Sequence, residues 1–258
     1  MKMSVYPYKR ASKSAKLLYQ KLQQVSLIPI KYTWSRTKVR VNWGSTRPLA
    51  EYNKVVLNHP KYLTNTINKI KFYKKCRELG LPVPSFTTSF EEAKELHNNY
   101  PNGTVERHLV NSSKGRGIKI IKKGETLNST AKIWVERVRQ RREFRFVVVG
   151  NKVVVSMVKK RPRNIEPQPI QNEGSGYKYF LTRENEENLY PLQEGHQISI
   201  KLVKEFGLDF GAVDMYWDKR KEVWGIFEVN TAFGLGENNA DAVAKAIHNL
   251  VLKKLKIV

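Results

Sequence analysis

Two carboxylates and one carboxamide carry the clearest chemical signal in this sequence. Asp214, Glu228 and Asn230 all fall within residues 211–236, GAVDMYWDKRKEVWGIFEVNTAFGLG. The stretch reads as two strands, 212–217 and 223–230, joined by a polar turn. With Trp217 opposite Val223, even-numbered residues of both strands project to one face, and the three side chains converge. A one-residue slip would send Asp214 to the other face, so the reading depends on register. Two carboxylates and an amide oxygen suit a hard cation such as Mg2+, which keeps some waters and takes further oxygens from phosphates. The competing reading is an ordinary hairpin with a polar wet side. The apolar neighbours Val213, Met215, Ile226, Phe227 and Val229 weigh against it, because acids inside such strands need partners.

The pattern G-x-V-D, a turn, then E-V-N-T-x-x-G-L resembles the metal-binding end of the ATP-grasp superfamily, the carboxylate–amine and peptide ligases. The resemblance implies that Asp214, Glu228 and Asn230 bind the magnesium of Mg-ATP, two ions in all, with Mn2+ as a substitute. Three further segments, in the order of that family, must then position the nucleotide. Residues 68–84, NKIKFYKKCRELGLPVP, read as a helix stopped by Gly80 and followed by prolines that force an extended exit. The entry to the ATP-grasp domain is similar, and it implies that Lys69 reaches a phosphate. Residues 104–121 read as strand, glycine-rich loop, strand. Gly115 and Gly117 let successive N–H groups face phosphate oxygens, and Lys114 and Arg116 add charge. A basic hairpin turn is the alternative. The likeness to the phosphate-covering loop of the family assigns Ser113, Lys114, Gly115 and Gly117 to the nucleotide. On the incoming strand Arg107 stands where the family has lysine, with a different donor geometry.

The strand 133–138 resembles the hinge whose backbone holds adenine, which implicates Val135 and Glu136. Residues 143–161, EFRFVVVGNKVVVSMVKKR, read as a hairpin about Gly150 and Asn151. They resemble the segment of the family whose basic residues meet phosphate or substrate carboxylate. Arg145, Lys159 and Arg161 are its candidate catalytic residues here, with Lys160 beside them. Residues 139–142 read as a charged connector. Residues 162–190 read as one long irregular loop, and the resemblance implies that it covers the acceptor site. Helices are expected at 12–25, 91–98, 193–206 and 239–255.

The 258 residues, 40% hydrophobic, bound one large domain or two to three small lobes. The predicted fold is α+β: a short α/β N-terminal lobe (1–65), an ATP-grasp small lobe (66–135) and a large lobe with the metal site (136–258). No run approaches the roughly 18 apolar residues of a membrane span, and the basic N-terminus lacks the apolar core of a signal peptide. A single cysteine, Cys76, excludes an internal disulfide and fits a reducing compartment. The expectation is a cytoplasmic protein, in the host cytoplasm if viral, and the chain resembles compact ATP-grasp proteins of microbial and viral genomes.

A formal charge of +24, from 47 Lys+Arg against 23 Asp+Glu, attracts polyanions. With the resemblance, three readings stay open. One is an ATP-dependent ligase that forms an amide through an acyl phosphate, from small-molecule or peptide carboxylate and amine substrates, with the basic surface serving an acidic macromolecule. The second is a nucleic-acid-binding protein on a degenerate ATP-grasp fold, and the third is another ATP-dependent phosphoryl transfer. No Ser-His-Asp, Cys-His or zinc-spaced constellation is visible. His59, His108 and His196 are the available general bases for the amine, and nothing in the sequence selects one.

Overall fold

A computed structural model describes residues 1–34, 37–48, 54–111, 115–139, 141–166 and 173–257. Among them, strands assemble into three sheets. The first is parallel, in the order β2 (Ile30–Tyr32), β1 (Met3–Pro7), β3 (Val39–Trp43), β4 (Val55–Leu57). Parallel neighbours need a crossover, and α1 (Lys13–Val25) supplies it between β1 and β2. Its start is set by Ser12, whose hydroxyl accepts a hydrogen bond from the Ala15 N–H at 3.3 Å. The buried strand MSVYP was not anticipated from the sequence. A parallel strand covered on both faces shows no polar alternation to read.

Helices α2 (Pro60–Ile67) and α3 (Lys69–Glu78) follow. The 58–60 stretch opens α2: His59 is its N-cap and Pro60 sits in its first turn. Helix α3 ends as predicted. Gly80 takes φ 63°, its N–H donates to the Arg77 carbonyl, and the Leu81 N–H donates to the Cys76 carbonyl at 2.8 Å. The proline-rich exit is then anchored by the Ile226 N–H, which donates to the Pro82 carbonyl at 2.8 Å.

The second sheet is antiparallel, β5 (Phe86–Thr87), β8 (Ile133–Glu136), β6 (Thr104–Arg107), β7 (Ile118–Ile121), with α4 (Phe90–Asn99) packed on it. The third is the antiparallel five-stranded sheet β11 (Lys178–Leu181), β10 (Lys152–Lys160), β9 (Arg141–Val149), β12 (Phe210–Asp218), β13 (Val223–Asn230). Strand β9 begins at Arg141, so the charged residues 141–142 belong to the sheet rather than to a connector. The stretch 162–190, read as irregular, holds β11 and the short helix α5 (Glu184–Leu189). Its Pro/Asn/Glu-rich composition masked a four-residue edge strand that takes its ladder from β10.

Two apolar cores meet on opposite faces of this third sheet. Phe144, Phe146, Val148, Val213, Met215 and Ile226 pack under α6 (Leu192–Glu205) and against Phe72, Tyr73 and Cys76 of α3. Val147, Val149, Phe210 and Ala212 pack with Val243, Ile247 and Val251 of α7 (Glu237–Lys254) and with the first sheet. Each such side chain contributes about 1.5–3 kcal/mol by leaving water. Cys76 is buried here, and burial pushes its thiol up to about 12, so its role is packing.

The first sheet is also pinned by Asn58, fully buried with φ 57°. Its Oδ1 accepts from the Asp209 and Phe210 N–H groups at 2.8 and 3.2 Å, and its Nδ2 donates to the Phe210 carbonyl at 2.9 Å. Nearby, a Cβ on Gly44 would stand 2.5 Å from the Ala232 side chain, so only glycine allows β3 to end against the loop after β13.

Candidate nucleotide and metal site

The hairpin β12–β13 does not have the register expected from its turn. Asp218, not Trp217, stands opposite Val223, and Trp217 pairs with Trp224. That one-residue slip alone would separate the acids. An irregularity between the Asp214 and Met215 pairs, with Phe227 as the extra residue of β13, cancels it and sets Asp214 directly opposite Glu228. Ala212 then faces Asn230. The three side chains share one face, joined by the Asn230 amide: its Nδ2 donates to Glu228 Oε1 at 2.8 Å and lies 3.4 Å from Asp214 Oδ2.

Both acids are already paired with cations. Arg145 stands opposite Asp214 on β9, and its Nε and Nη2 donate to Oδ1 and Oδ2 at 2.6 and 2.8 Å, a two-pronged contact across neighbouring strands. Lys69, at the first position of α3 and 5% exposed, donates its Nζ to Glu228 Oε2. Burial works against ionised Glu228, but Lys69 outweighs it and holds the carboxyl well below its usual range. Burial pushes the Asp214 carboxyl up, with Arg145 opposing. Burial likewise disfavours the Arg145 cation, and Asp214 more than offsets it.

A second buried ion cluster adjoins the first on the same face. Glu143 Oε1 accepts from Arg141 Nε at 2.7 Å and Oε2 accepts from Lys159 Nζ, and the two cations override burial to keep the carboxyl low. Tyr179, opposite Lys159 on β11, lays its ring 4.1 Å from the Arg145 guanidinium carbon and 5.1 Å from Lys159 Nζ. Burial raises the Tyr179 hydroxyl well above its ordinary value, so it stays neutral. Glu143, Arg141 and Tyr179 were not among the candidates read from the sequence. The alternation Arg141, Glu143, Arg145 on one strand was the available signal for the first two, whereas the place of Tyr179 required the β10–β11 pairing.

The remaining candidates divide. Arg107 ends β6, and among the described residues its buried Nε has no hydrogen-bond partner. Burial raises the Tyr73 hydroxyl, with Arg107 opposing and Glu228 reinforcing. The Lys69 N–H donates to the Val110 carbonyl at 3.0 Å, tying α3 to the loop that follows β6. In that loop Gly115 and Gly117 take φ 75° and 70°, and the His108 N–H donates to the Gly117 carbonyl at 2.8 Å. Ser113 and Lys114 lie outside the described residues.

Val135 and Glu136 end β8. Val135 is buried in the core, and Glu136 Oε1 accepts from Lys221 Nζ at 2.8 Å, joining the strand to the β12–β13 turn. Arg161 is exposed and donates to the Ile165 carbonyl at 2.7 Å, apart from the ion clusters. Of the histidines, His196 bonds Ser156 Oγ at 2.8 Å and packs on Phe146, on the sheet face opposite Arg145. His59 caps α2, and His108 lies 3.5 Å from Glu106.

The residues fit a divalent cation and a polyphosphate. The donor set of Asp214, Glu228 and Asn230 is oxygen only, as magnesium requires, and among the described residues no group of three His, Cys, Asp or Glu side chains competes as a metal site. Lys69, Arg145 and the orphaned Arg107 Nε supply the charge that phosphate oxygens need.

No protein-family model and no curated protein matches the chain. Solved structures do. The ATP-grasp ligase PsnB complexed with a minimal precursor is 11% identical, over 97% of this chain and 99% of that one, with a TM-score of 0.69. D-alanine–D-alanine ligase from Bacillus anthracis is 12% identical, over 100% and 98%, at 0.65. Macrocyclase MdnC bound with precursor peptide MdnA, from Microcystis aeruginosa MRC, is 13% identical, over 96% and 100%, at 0.60. At such identities shared shape is what these matches measure, and they agree with the order of motifs along the sequence: this chain has the ATP-grasp fold.

Proposed function

We propose that the chain is an ATP-dependent carboxylate–amine ligase with a peptide among its substrates. The observation that carries this reading is the convergence of Asp214, Glu228 and Asn230 beside two cationic side chains, Lys69 and Arg145. The solved structures of like fold include ligases complexed with precursor peptides, which supports a peptide as one reactant.

Asp214, Glu228 and Asn230 would hold Mg2+, which when bound supplies positive charge to the phosphates. Lys69 and Arg107 bind phosphate oxygens from the side of α3 and β6, and Gly115 and Gly117 turn backbone N–H groups toward them beside Ser113 and Lys114. Val135 and Glu136 hold the base through the β8 backbone. A substrate carboxylate attacks the γ-phosphorus, the bond to the β,γ-bridging oxygen breaks, and ADP leaves. Arg145 and Lys159 face the charge on the transferring group. An amine then attacks the acyl phosphate, and inorganic phosphate departs as the amide forms. Catalysis of this kind is positioning and charge neutralisation and needs no nucleophile–base pair. Arg161 is left out of this role because its exposed side chain bonds the Ile165 carbonyl instead.

Calorimetry of ATP binding with and without magnesium, on the wild type and on Glu228→Gln, tests the reading. Magnesium-dependent binding that is lost in the variant supports it, as does ADP release that requires both carboxylate and amine. No ATP binding by the wild type, or salt-sensitive binding to nucleic acid with no ADP formed, overturns it. ADP formed with a phosphorylated product and no amide would assign a different phosphoryl transfer.

A further inference from the structure

The carboxyl end of the parallel N-terminal sheet carries a cationic–aromatic arrangement that the proposed chemistry leaves unused. Trp34 follows β2 and is half-buried. Its indole is fixed by donation from Nε1 to the Pro7 carbonyl at 2.7 Å. Two exposed arginines lie against it: the guanidinium carbons of Arg10 and Arg47 stand 4.7 and 4.0 Å from the ring centroid. Arg10 comes from the turn after β1, where the Tyr32 hydroxyl donates to its carbonyl at 2.9 Å, and Arg47 comes from the turn after β3. Among the described residues no carboxylate pairs with either arginine. Stacking on an indole leaves the donor edges of a guanidinium free for carboxylate.

The position of this arrangement is as informative as its chemistry. Ligands of open α/β sheets bind outside the carboxyl ends of the strands. This edge abuts the loop that leaves the metal-site strand. Gly44, three residues before Arg47, touches Ala232, two residues after Asn230. Ser14, four residues after Arg10, accepts the Leu235 N–H at 3.1 Å through its hydroxyl. The segments that carry Arg10 and Arg47 thus adjoin the loop that follows Asn230.

We infer that Arg10, Trp34 and Arg47 form a binding subsite for a carboxylate-bearing peptide, the substrate whose end enters the reaction site. The inference rests on the ligase reading for what the peptide is used for, but not for its binding. A peptide is favoured over a single small anion because the arginines come from separate turns on an open edge, where spaced carboxylates of one chain can engage both. The excess of 47 Lys+Arg over 23 Asp+Glu steers such an acidic chain inward.

The test uses the full-length protein and a fluorescein-labelled oligoglutamate peptide, read by anisotropy at physiological salt. The variants are Arg10→Gln/Arg47→Gln and, as a charge-matched control, Lys245→Gln/Lys253→Gln on the exposed side of α7. The expected result is a loss of roughly tenfold or more in affinity for the arginine pair, from two charge-assisted contacts, and wild-type affinity for the control. Equal losses in both variants would overturn the subsite in favour of a general basic field. So would free glutamate binding as tightly as the peptide, or a single-stranded oligonucleotide displacing it at lower concentration. Magnesium–ATP calorimetry on the arginine pair is run alongside and should match wild type. Failure of ATP to bind the wild type would sink the ligase reading while leaving the peptide result to stand or fall by itself.

Discussion

The two ends of one sheet face are buried alike and built from opposite chemistry. Toward one end, Val147, Val149, Phe210 and Ala212 are apolar and lie under α7 and the N-terminal sheet. Toward the other, on the same strands, Glu143, Arg145 and Asp214 are 6–12% exposed at their side chains and each is held in an ion pair. The apolar end gains stability from every atom it removes from water. The ionic end first loses hydration and regains it only through good geometry, so such pairs are weak devices for stability. In the ligase reading, the ionic end offers instead a preorganised set of charges whose internal partners ligand phosphates would displace. The difference separates the part of the sheet that holds the fold from the part available for chemistry.

The sharpest way to break this comparison is to truncate each end. Phe210→Ala at the apolar end is expected to lose about 3–5 kcal/mol in urea unfolding. Asp214→Ala strands a buried guanidinium and is expected to lose a similar amount, about 3–5 kcal/mol. The two ends part company when the pair is replaced whole. Asp214→Leu with Arg145→Met should recover most of that loss, or exceed the wild type by about 1–4 kcal/mol, and should not turn over ATP. A double variant as unstable as Asp214→Ala would show that the ion pair holds the fold after all.

A subtler effect is expected in acid. Glu228 has its folded pKa depressed below the ordinary 4.5, chiefly by Lys69 against the opposing effect of burial. Its contribution to stability is therefore present above about pH 4.5 and is lost as pH falls toward the folded value. Glu228→Gln should flatten the dependence of the unfolding midpoint on pH below that point; an unchanged acid limb would refute the assignment. The smallest effect belongs to Tyr179. Tyr179→Phe keeps a ring over Arg145 and should leave stability near wild type, while Tyr179→Leu removes the cation–π contact and should cost about 0.5–2 kcal/mol. Equal effects of the two variants would mean that the hydroxyl, not the ring face, matters.

Much of the site was legible because it rests on local patterns. The acids stood out against apolar neighbours in β12 and β13, and Gly80 with the following prolines marked the end of α3. Tyr179 was missed because its role exists only across strands, in the pairing of β11 with β10, whereas Glu143 meets Arg141 on its own strand and Lys159 across the pairing of β10 with β9. The hairpin is the most instructive element. Its turn is offset by one residue from the expected register, and the extra Phe227 restores the shared face, so the right grouping of Asp214, Glu228 and Asn230 was reached through a wrong register.

By itself the amino-acid sequence determined the strand and helix types at the site, the oxygen-rich donor set, the cationic excess and the chain order of the elements. Those follow from side-chain period, glycine and proline stereochemistry and residue charge, which act over a few neighbours. Tertiary structure alone decided which cation meets which acid: Lys69 with Glu228, 159 residues apart, and Arg145 with Asp214, 69 apart. It also decided that the edge of the first sheet would lie against the loop after Asn230. Coulomb attraction at contact distance does not depend on separation along the chain, so only packing of the sheets and helices selects among 47 basic partners for each buried acid.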